Sequence, residues 1–260
     1  MPGIEQSKCV LITGATAGIG HALALSIAKL PSQPQVIAAG RRQDRLNELA
    51  SSNIETVQLD VDTSTESLKK FADHVVDKYP ELDTVILCAG VQHEFDFKKD
   101  ADVGKLVSEM NINYTSVATI IAYLVPHFLK LGEQGRPSFI VPVTSGLGIV
   151  PAPWVPNYSA SKAALHSLSI SLMAQLRDTG VHVMEVIPPL VESELHDAYG
   201  TTEKLSKIWM PLDEFIKLTI NGLCRGDAHI SAGNALVYFG QFEKEKDKLA
   251  LDYQLRHDSW

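Results

Sequence analysis

Short apolar runs alternate along this chain with longer segments in which apolar residues recur every three or four positions. The apolar runs predict β-strands at 9–13, 35–39, 54–59, 84–88, 139–144 and 181–187, with a further strand near 235–239. The segments between them predict helices at 21–30, 44–51, 65–79, 103–131, from Tyr158 onwards and at 211–224. Fully apolar strands that alternate with helices indicate an α/β fold with a buried parallel sheet.

The composition fits one domain and excludes several classes of partner. With 260 residues, of which 45% are hydrophobic, the chain can build one large core. The net charge of -8 argues against broad binding of nucleic acid or anionic membranes. The start shows no signal-peptide pattern, and no apolar run approaches the roughly 20 residues of a membrane span, so a cytoplasmic location is predicted. The unpaired spacing of Cys9, Cys88 and Cys224 fits a reducing compartment, and no metal-site spacing occurs.

A glycine-rich turn follows the first predicted strand. Gly14, Gly18 and Gly20 stand between that strand and the first helix. Such a turn lets a pyrophosphate approach the backbone amides at the start of a helix. A plain tight turn is the alternative interpretation of the same residues.

The end of the second strand predicts which dinucleotide is bound. An acidic residue there would bind the ribose hydroxyls, whereas an arginine accommodates a 2′-phosphate. The chain has Arg41 and Arg42 at this place, which favours NADP(H) over NAD(H), with Arg41 the better candidate. The alternative is that both arginines belong to a solvated helix start. Asp60, after the third strand, could accept a hydrogen bond from the adenine amino group or cap the next helix.

The long predicted helix at 103–131 contains two residues that disfavour a regular helix. Asn113 is a poor interior helix former, which suggests that its amide serves a site or an interrupted hydrogen bond, although a surface position is the alternative. Pro126 should kink or end the helix.

The candidate chemistry centres on a tyrosine and a lysine four residues apart. On a helix, Tyr158 and Lys162 share one face, so that an ammonium lies beside a phenol. The ammonium and a second positive charge, such as an oxidised nicotinamide, would lower the phenol pKa from its usual value of about 10. Ser145 ends the preceding buried strand at the sheet edge where ligands of such folds bind.

Together these residues resemble the short-chain dehydrogenase/reductase family. The motifs are Thr13-Gly14-x-x-x-Gly18-Ile-Gly20, Asp60-Val61, Asn113, Ser145 and Tyr158-x-x-x-Lys162, and the resemblance spans about residues 7–240. It implies a single-domain, doubly wound parallel sheet (Rossmann fold) at 1–240, with a substrate loop at about 189–211. The family reaction is hydride transfer between a nicotinamide and a carbonyl or alcohol carbon. Residues 241–260 form a charged tail, for which a solvated helix is expected.

The resemblance also implies a role for each motif residue. Tyr158 would be the acid in reduction and the base in oxidation, and Lys162 would lower its pKa and hold the nicotinamide ribose. Ser145 would orient the substrate oxygen, and Asn113 would hold a relay water. The implied cofactor-binding residues are Gly14, Thr16, Ala17, Gly18, Ile19, Gly20, Arg41, Arg42, Asp60, Val61, Ala89, Gly90, Tyr158, Lys162, Pro188, Val191 and Ser193.

Two positions depart from the family pattern. Cys88 stands where an asparagine is usual, so hydrogen bonds to neighbouring strands are lost. Pro189 replaces the usual glycine after the sixth strand, which removes an amide donor and a flexible hinge.

The predicted function is NADPH-dependent reduction of a small or medium ketone, aldehyde or diketone. Leu147, Val150, Trp154 and Leu190 are candidate substrate contacts, with loop packing as the equal alternative. Two other functions stay open: an NADP(H)-binding sensor with vestigial activity, and an NAD-dependent alcohol dehydrogenase. By resemblance, a homodimer or homotetramer is expected.

Overall fold

The computed structural model describes residues 2–52, 54–195 and 202–259. Its centre is a six-stranded parallel sheet with strand order β3-β2-β1-β4-β5-β6 among the described residues. The strands are β1 (Cys9–Thr13), β2 (Gln35–Gly40), β3 (Glu55–Gln58), β4 (Thr84–Leu87), β5 (Ser138–Pro142) and β6 (Val181–Val183). The chain runs outward from β1 in one direction and then outward from β4 in the other, which confirms the doubly wound fold.

Helices cover both faces of the sheet because successive strand residues point to opposite sides. The helices are α1 (Gly18–Ile27), α2 (Gln43–Ala50), α3 (Thr65–Lys78), α4 (Val103–Met110), α5 (Ser116–Glu133), α6 (Pro156–Gln175), α7 (Thr202–Leu205), α8 (Leu212–Arg225), α9 (Gly233–Phe242) and α10 (Lys246–Asp258). Leu11 of β1 packs in one core with Phe71 and Phe128. Val10 packs in the other with Leu23 and Phe215.

The predicted long helix is one continuous helical segment with a changed pitch in its middle. A π-helical turn at Asn111–Thr115 joins α4 to α5, and α5 continues past Pro126 to Glu133. The regular helix is thus interrupted around Asn113, a poor interior helix former, and Pro126 does not end it. The 31-residue segment Val103–Glu133 has the length and composition of a membrane span, but its Leu124 and Phe128 are fully buried in the core against the sheet.

The predicted sixth strand is divided at Met184. Its second half, β7 (Glu185–Ile187), pairs with β8 (His229–Ser231) in a separate two-stranded sheet. An isolated bridge between Val143 and Val186 still joins β7 to the end of β5. This arrangement places the two segments side by side at the carboxyl edge of the sheet.

The prediction of a strand near 235–239 is wrong, because these residues belong to α9. Ala235 is buried while Leu236 and Val237 are 56% and 60% exposed, so the apolar run is not buried on both sides as a central strand would be. Short apolar runs are ambiguous between strand and helix.

The charged tail is not a freely solvated helix. α10 lies against α6, and Arg177 at the end of α6 pairs with Asp258 at 3.4 Å. No described residue of α10 is fully buried, so the helix packs on the surface of the fold.

Candidate active site

A cleft of about 640 Å³ opens at the carboxyl ends of β1, β2, β4 and β5. Each of the predicted cofactor residues contributes to its wall, and so do Ser145, Leu147, Trp154 and Leu190. Residues 196–201 of the predicted substrate loop, including Tyr199, lie outside the described residues. The parallel strands therefore bring residues from widely separated parts of the sequence to one edge, as expected for an open α/β sheet.

The glycine turn has a geometry that requires glycine. Gly14 and Gly18 have φ angles of 69° and 49°, in the left-handed region. A Cβ on Gly14 would lie 2.7 Å from the backbone of Ala89, and one on Gly20 would lie 2.5 Å from the carbonyl oxygen of Gly14. Ala17 precedes α1 and has no polar side chain to cap it. The first amides of the helix therefore face the cleft without a side-chain cap, as an anion site requires.

The two candidate phosphate-binding arginines differ in their surroundings. Arg42 donates to Glu194 at 2.8 Å and to Thr16 at 3.3 Å, and Arg45 reaches the same carboxylate. Arg41 is exposed on the cleft wall. Glu194 is thus a charged residue of this region that the sequence analysis missed.

Asp60 does not cap the following helix. Its carboxylate accepts a hydrogen bond from the Asp62 amide at 3.0 Å, and Ser64 caps α3 by accepting from the Ser67 amide. Asp60 is exposed at the cleft, next to the buried Val61. Its carboxylate is therefore accessible to a ligand on the cleft side.

Tyr158 and Lys162 lie one turn apart on α6, as the spacing predicts, and both are buried. The Lys162 ammonium is 5.7 Å from the centroid of the Tyr158 ring and donates to the Val143 carbonyl at 2.8 Å. Ser145 is buried beside them, and its hydroxyl accepts from the Leu147 amide at 3.1 Å. The three side chains therefore converge at the inner end of the cleft.

Burial dominates the titration of both helix residues. It raises the pKa of Tyr158 above its usual value, and a hydrogen bond with Ser145 opposes this only in part. It lowers the pKa of Lys162 to about 8. The expected lowering of the phenol pKa by the ammonium is thus not produced by the protein residues themselves, which keep the phenol protonated.

Asn113 lies behind the cleft wall formed by the described residues. Its amide accepts from Val91 N and donates to Val91 O, both at 2.9 Å, and also donates to Ser161 at 3.0 Å. A Cβ on Gly90 would lie 3.3 Å from its oxygen. Asn113 therefore fixes the backbone after β4, close to Lys162, and its implied role with a relay water stays a prediction.

The outer part of the cleft contains residues that the sequence analysis missed. They are His93, Leu195, Leu205, Ile208, Asn234, Ala235 and Tyr238. Three of them come from α9, which was predicted as a strand, so no site role could be expected for them. Val150 is not among the described lining residues.

A buried carboxylate supports this outer wall. Glu109 is fully buried on α4, accepts from the His93 amide at 2.8 Å and accepts from the Asn157 side chain at 2.7 Å. Burial raises the pKa of its carboxyl group. It therefore ties the loop after β4 to the start of the α6 helix.

The family model for short chain dehydrogenases matches residues 8–204, most of the chain. The chain belongs to the short-chain dehydrogenase family. It is accordingly an oxidoreductase.

Relatives and solved structures agree with this assignment. The chain is 37% identical over 230 residues to the uncharacterized oxidoreductase DltE of Bacillus subtilis. The alignment covers 86% of this chain and 88% of that protein. It is 31% identical to the 11-beta-hydroxysteroid dehydrogenase-like 3 protein of Arabidopsis thaliana, over 86% of this chain and 72% of that protein.

Two solved structures share the fold. A short-chain dehydrogenase from Sphingobium yanoikuyae in complex with NADPH has a TM-score of 0.76 and 23% identity, over 89% of this chain and 87% of that one. A short-chain dehydrogenase/reductase from Burkholderia phymatum in complex with NAD has a TM-score of 0.78 and 21% identity, over 94% of this chain and 95% of that one.

The two departures from the family pattern have visible consequences in this short-chain dehydrogenase. Cys88 lines the cleft, and burial raises the pKa of its thiol to about 11, so the thiol is neutral beside Lys162. Pro189 also lines the cleft, and its ring lies 3.3 Å from the place of a Cβ on Gly233, so it packs against the start of α9. Neither departure removes a side chain from the inner end of the cleft.

Proposed function

We propose that the protein reduces a small or medium ketone, aldehyde or diketone with NADPH, and that Tyr158 donates the proton. The observation that carries the proposal is the convergence of Ser145, Tyr158 and Lys162 at the inner end of a cleft that begins at the glycine turn. A phenol, a hydroxyl and an ammonium buried together form the donor set that carbonyl reduction needs.

The cleft residues fit a bound dinucleotide. Side chains would be crowded at Gly14 and Gly90, because a Cβ on Gly14 would lie 2.7 Å from the Ala89 backbone and one on Gly90 would lie 3.3 Å from the Asn113 side-chain oxygen. The amides of Gly18 to Gly20 would bind the pyrophosphate, and Asp60 and Val61 would contact the adenine. Arg41 would bind the 2′-phosphate, and Lys162 the nicotinamide ribose.

Each catalytic side chain has one task in the proposed reduction. A bound reduced nicotinamide supplies the hydride that adds to the carbonyl carbon. Ser145 orients the carbonyl oxygen, and Tyr158 transfers its phenolic proton to that oxygen. Lys162 stabilises the phenolate that remains, because the attraction between an ammonium and a phenolate is stronger in a buried site than in water.

The outer wall favours an apolar substrate. Leu147, Trp154, Leu190, Leu205 and Ile208 contribute side chains to it. Such walls bind by removing apolar surface from water. We therefore expect apolar or aromatic carbonyl compounds to be better substrates than charged ones.

The test is NADPH consumption, followed by absorbance, with a panel of ketones, aldehydes and α-diketones. Turnover of apolar members supports the proposal. A protein that binds NADPH and turns over no member of a broad panel would instead favour the sensor function.

NAD-dependent alcohol oxidation is a second candidate, which one observation favours. Glu194 pairs with Arg42 at 2.8 Å and so places a negative charge near the proposed 2′-phosphate position. Equal affinities for NADH and NADPH would support this candidate and overturn the assignment of Arg41.

The proposed assembly is a homodimer or homotetramer through the long helices, in a cytoplasmic protein. Val103 and Val107 of α4 are 67% and 65% exposed, which supports an interface there. A monomeric mass by light scattering would contradict it.

A further inference from the structure

A cluster of ionisable side chains, buried except for the partly exposed Asp247, lies behind the catalytic residues. We call it the Glu185 cluster; its members are Glu185, His166, His229, Glu243 and Asp247. They come from α6, β7, β8, the end of α9 and α10. The cluster therefore joins the C-terminal tail to the centre of the fold.

Glu185 is the centre of this cluster. Its carboxylate is fully buried and accepts from Thr144 Oγ1 at 2.6 Å, from His166 Nδ1 at 2.8 Å and from His229 Nδ1 at 3.0 Å. A buried carboxylate is stable only when donors satisfy it, so these three partners are held in fixed positions around it.

The geometry favours the cationic form of both histidines, in which both ring nitrogens carry a proton, because each ring nitrogen faces a carboxylate. His166 Nε2 is 3.1 Å from Glu243, and His229 Nε2 is 2.7 Å from Asp247, while both Nδ1 atoms face Glu185. An imidazole can donate from both nitrogens only as the cation. Burial acts to lower the pKa of His229, but its hydrogen bonds to Asp247 and Glu185 raise it to about 9. For His166 the bonds to Glu185 and Glu243 likewise outweigh burial and raise the pKa.

Two partners of Glu185 are next to catalytic residues in the chain. Thr144 directly precedes Ser145, and its amide donates to the Val186 carbonyl at 2.9 Å. His166 follows Lys162 by one helical turn on α6. Glu185 thus contacts both segments that carry the catalytic side chains.

The tail closes the far side of the cluster. Glu243 is buried at the end of α9 and binds His166, with Lys246 on its carboxylate at 2.8 Å. Asp247 on α10 binds His229, whose ring also packs on Phe239 at a centroid distance of 4.5 Å. Without these contacts the Nε2 atoms of His166 and His229 would lose their carboxylate partners.

We propose that Glu185 is a positioning residue for the reaction, which fixes Ser145 through Thr144 and Lys162 through His166, and that the C-terminal helix maintains this arrangement through Asp247. The kinetic part rests on the proposed carbonyl reduction. The inference gives the tail a role in the active-site framework, although no tail residue reaches the inner end of the cleft among the described residues.

The first test compares Thr144→Val with Thr144→Ser. Valine keeps the shape of the side chain but removes the hydroxyl that donates a hydrogen bond to Glu185. Serine keeps that hydroxyl. We expect Thr144→Val to lower kcat at least about tenfold, because small displacements of catalytic groups are costly, with NADPH affinity within about twofold of wild type. Thr144→Ser should recover most of the lost turnover. An unchanged kcat in folded Thr144→Val would overturn the positioning role.

The second test needs no substrate. Hydrogen exchange is measured on the full-length Asp247→Asn protein, with Asp252→Asn as the control, an exposed carboxylate on the same helix. We expect Asp247→Asn to speed amide exchange about fivefold in peptides covering 143–149, with no change in the control. Faster exchange confined to 243–259 would show that the tail only packs on the surface and would overturn its role.

The two tests separate the inference from the proposed function. If wild-type protein reduces no carbonyl compound, the proposed function fails while hydrogen exchange still decides the framework role. If wild-type protein is active and both tests are negative, the proposed function stands and the inference fails.

Discussion

The two ends of the cleft are built differently. At the inner end, Tyr158 and Lys162 are 7% and 4% exposed and sit on a helix braced by strand ends. At the outer end, Trp154 and Ile208 are 63% and 73% exposed and lie in turns. A rigid inner end fits a reaction with strict geometry, whereas an open outer end fits selection among apolar substrates by contact area.

Replacing the inner ammonium should produce the largest loss. We expect Lys162→Met to lower kcat about a hundredfold or more, because the phenolate loses its stabilising charge. The melting temperature should stay level or rise, since a buried cation with a pKa lowered to about 8 is removed. Steady-state kinetics and calorimetry measure both quantities, with Lys70→Met on the exposed face of α3 as the control. A kcat near wild type would contradict the role of Lys162.

The next effect concerns cofactor choice at the exposed strand ends. Arg41→Ala should weaken NADPH binding about tenfold or more and leave NADH unchanged, because a charge-assisted contact to phosphate is lost. Arg42→Ala is the matched control and should have a smaller effect, since Glu194 already pairs with Arg42. Fluorescence titration with each cofactor gives the affinities. An equal loss for both cofactors would place Arg41 outside phosphate recognition.

A pH profile sharpens the account of the inner end. Lys162 has a pKa lowered to about 8, so its charged form prevails below that pH and is lost above it. Reductive kcat/KM should therefore fall as pH rises through about 8, approaching tenfold per unit beyond it, because kcat/KM reports the pKa of the free protein. The profile is measured with both NADPH and substrate well below their KM values. A kcat/KM that rises through the same range would contradict the assignment.

The smallest effect is expected at the outer end. Trp154→Ala should raise KM for aromatic ketones about threefold and leave kcat nearly unchanged, since aromatic contacts contribute modestly at an exposed site. A small aliphatic ketone serves as the control substrate. Unchanged kinetics for both substrates would mean that Trp154 only packs the loop.

The sequence predicts the inner end well and the outer end poorly, for physical reasons. Tyr158 and Lys162 meet because any helix brings residues four apart onto one face. The apolar run at 235–239 satisfies both strand and helix patterns, so the contribution of α9 to the cleft is missed. The Glu185 cluster is hidden because its members are scattered from residue 166 to residue 247 and meet only through tertiary packing.

The most direct test of the central claim compares wild type with Tyr158→Phe. NADPH affinity is measured by fluorescence and reductive turnover by absorbance on the same preparations. Because the exchange removes only the phenolic hydroxyl, turnover should fall by about a hundredfold or more while NADPH affinity is retained. If Tyr158→Phe keeps its turnover, Tyr158 is not the proton donor and the account of the inner end is wrong.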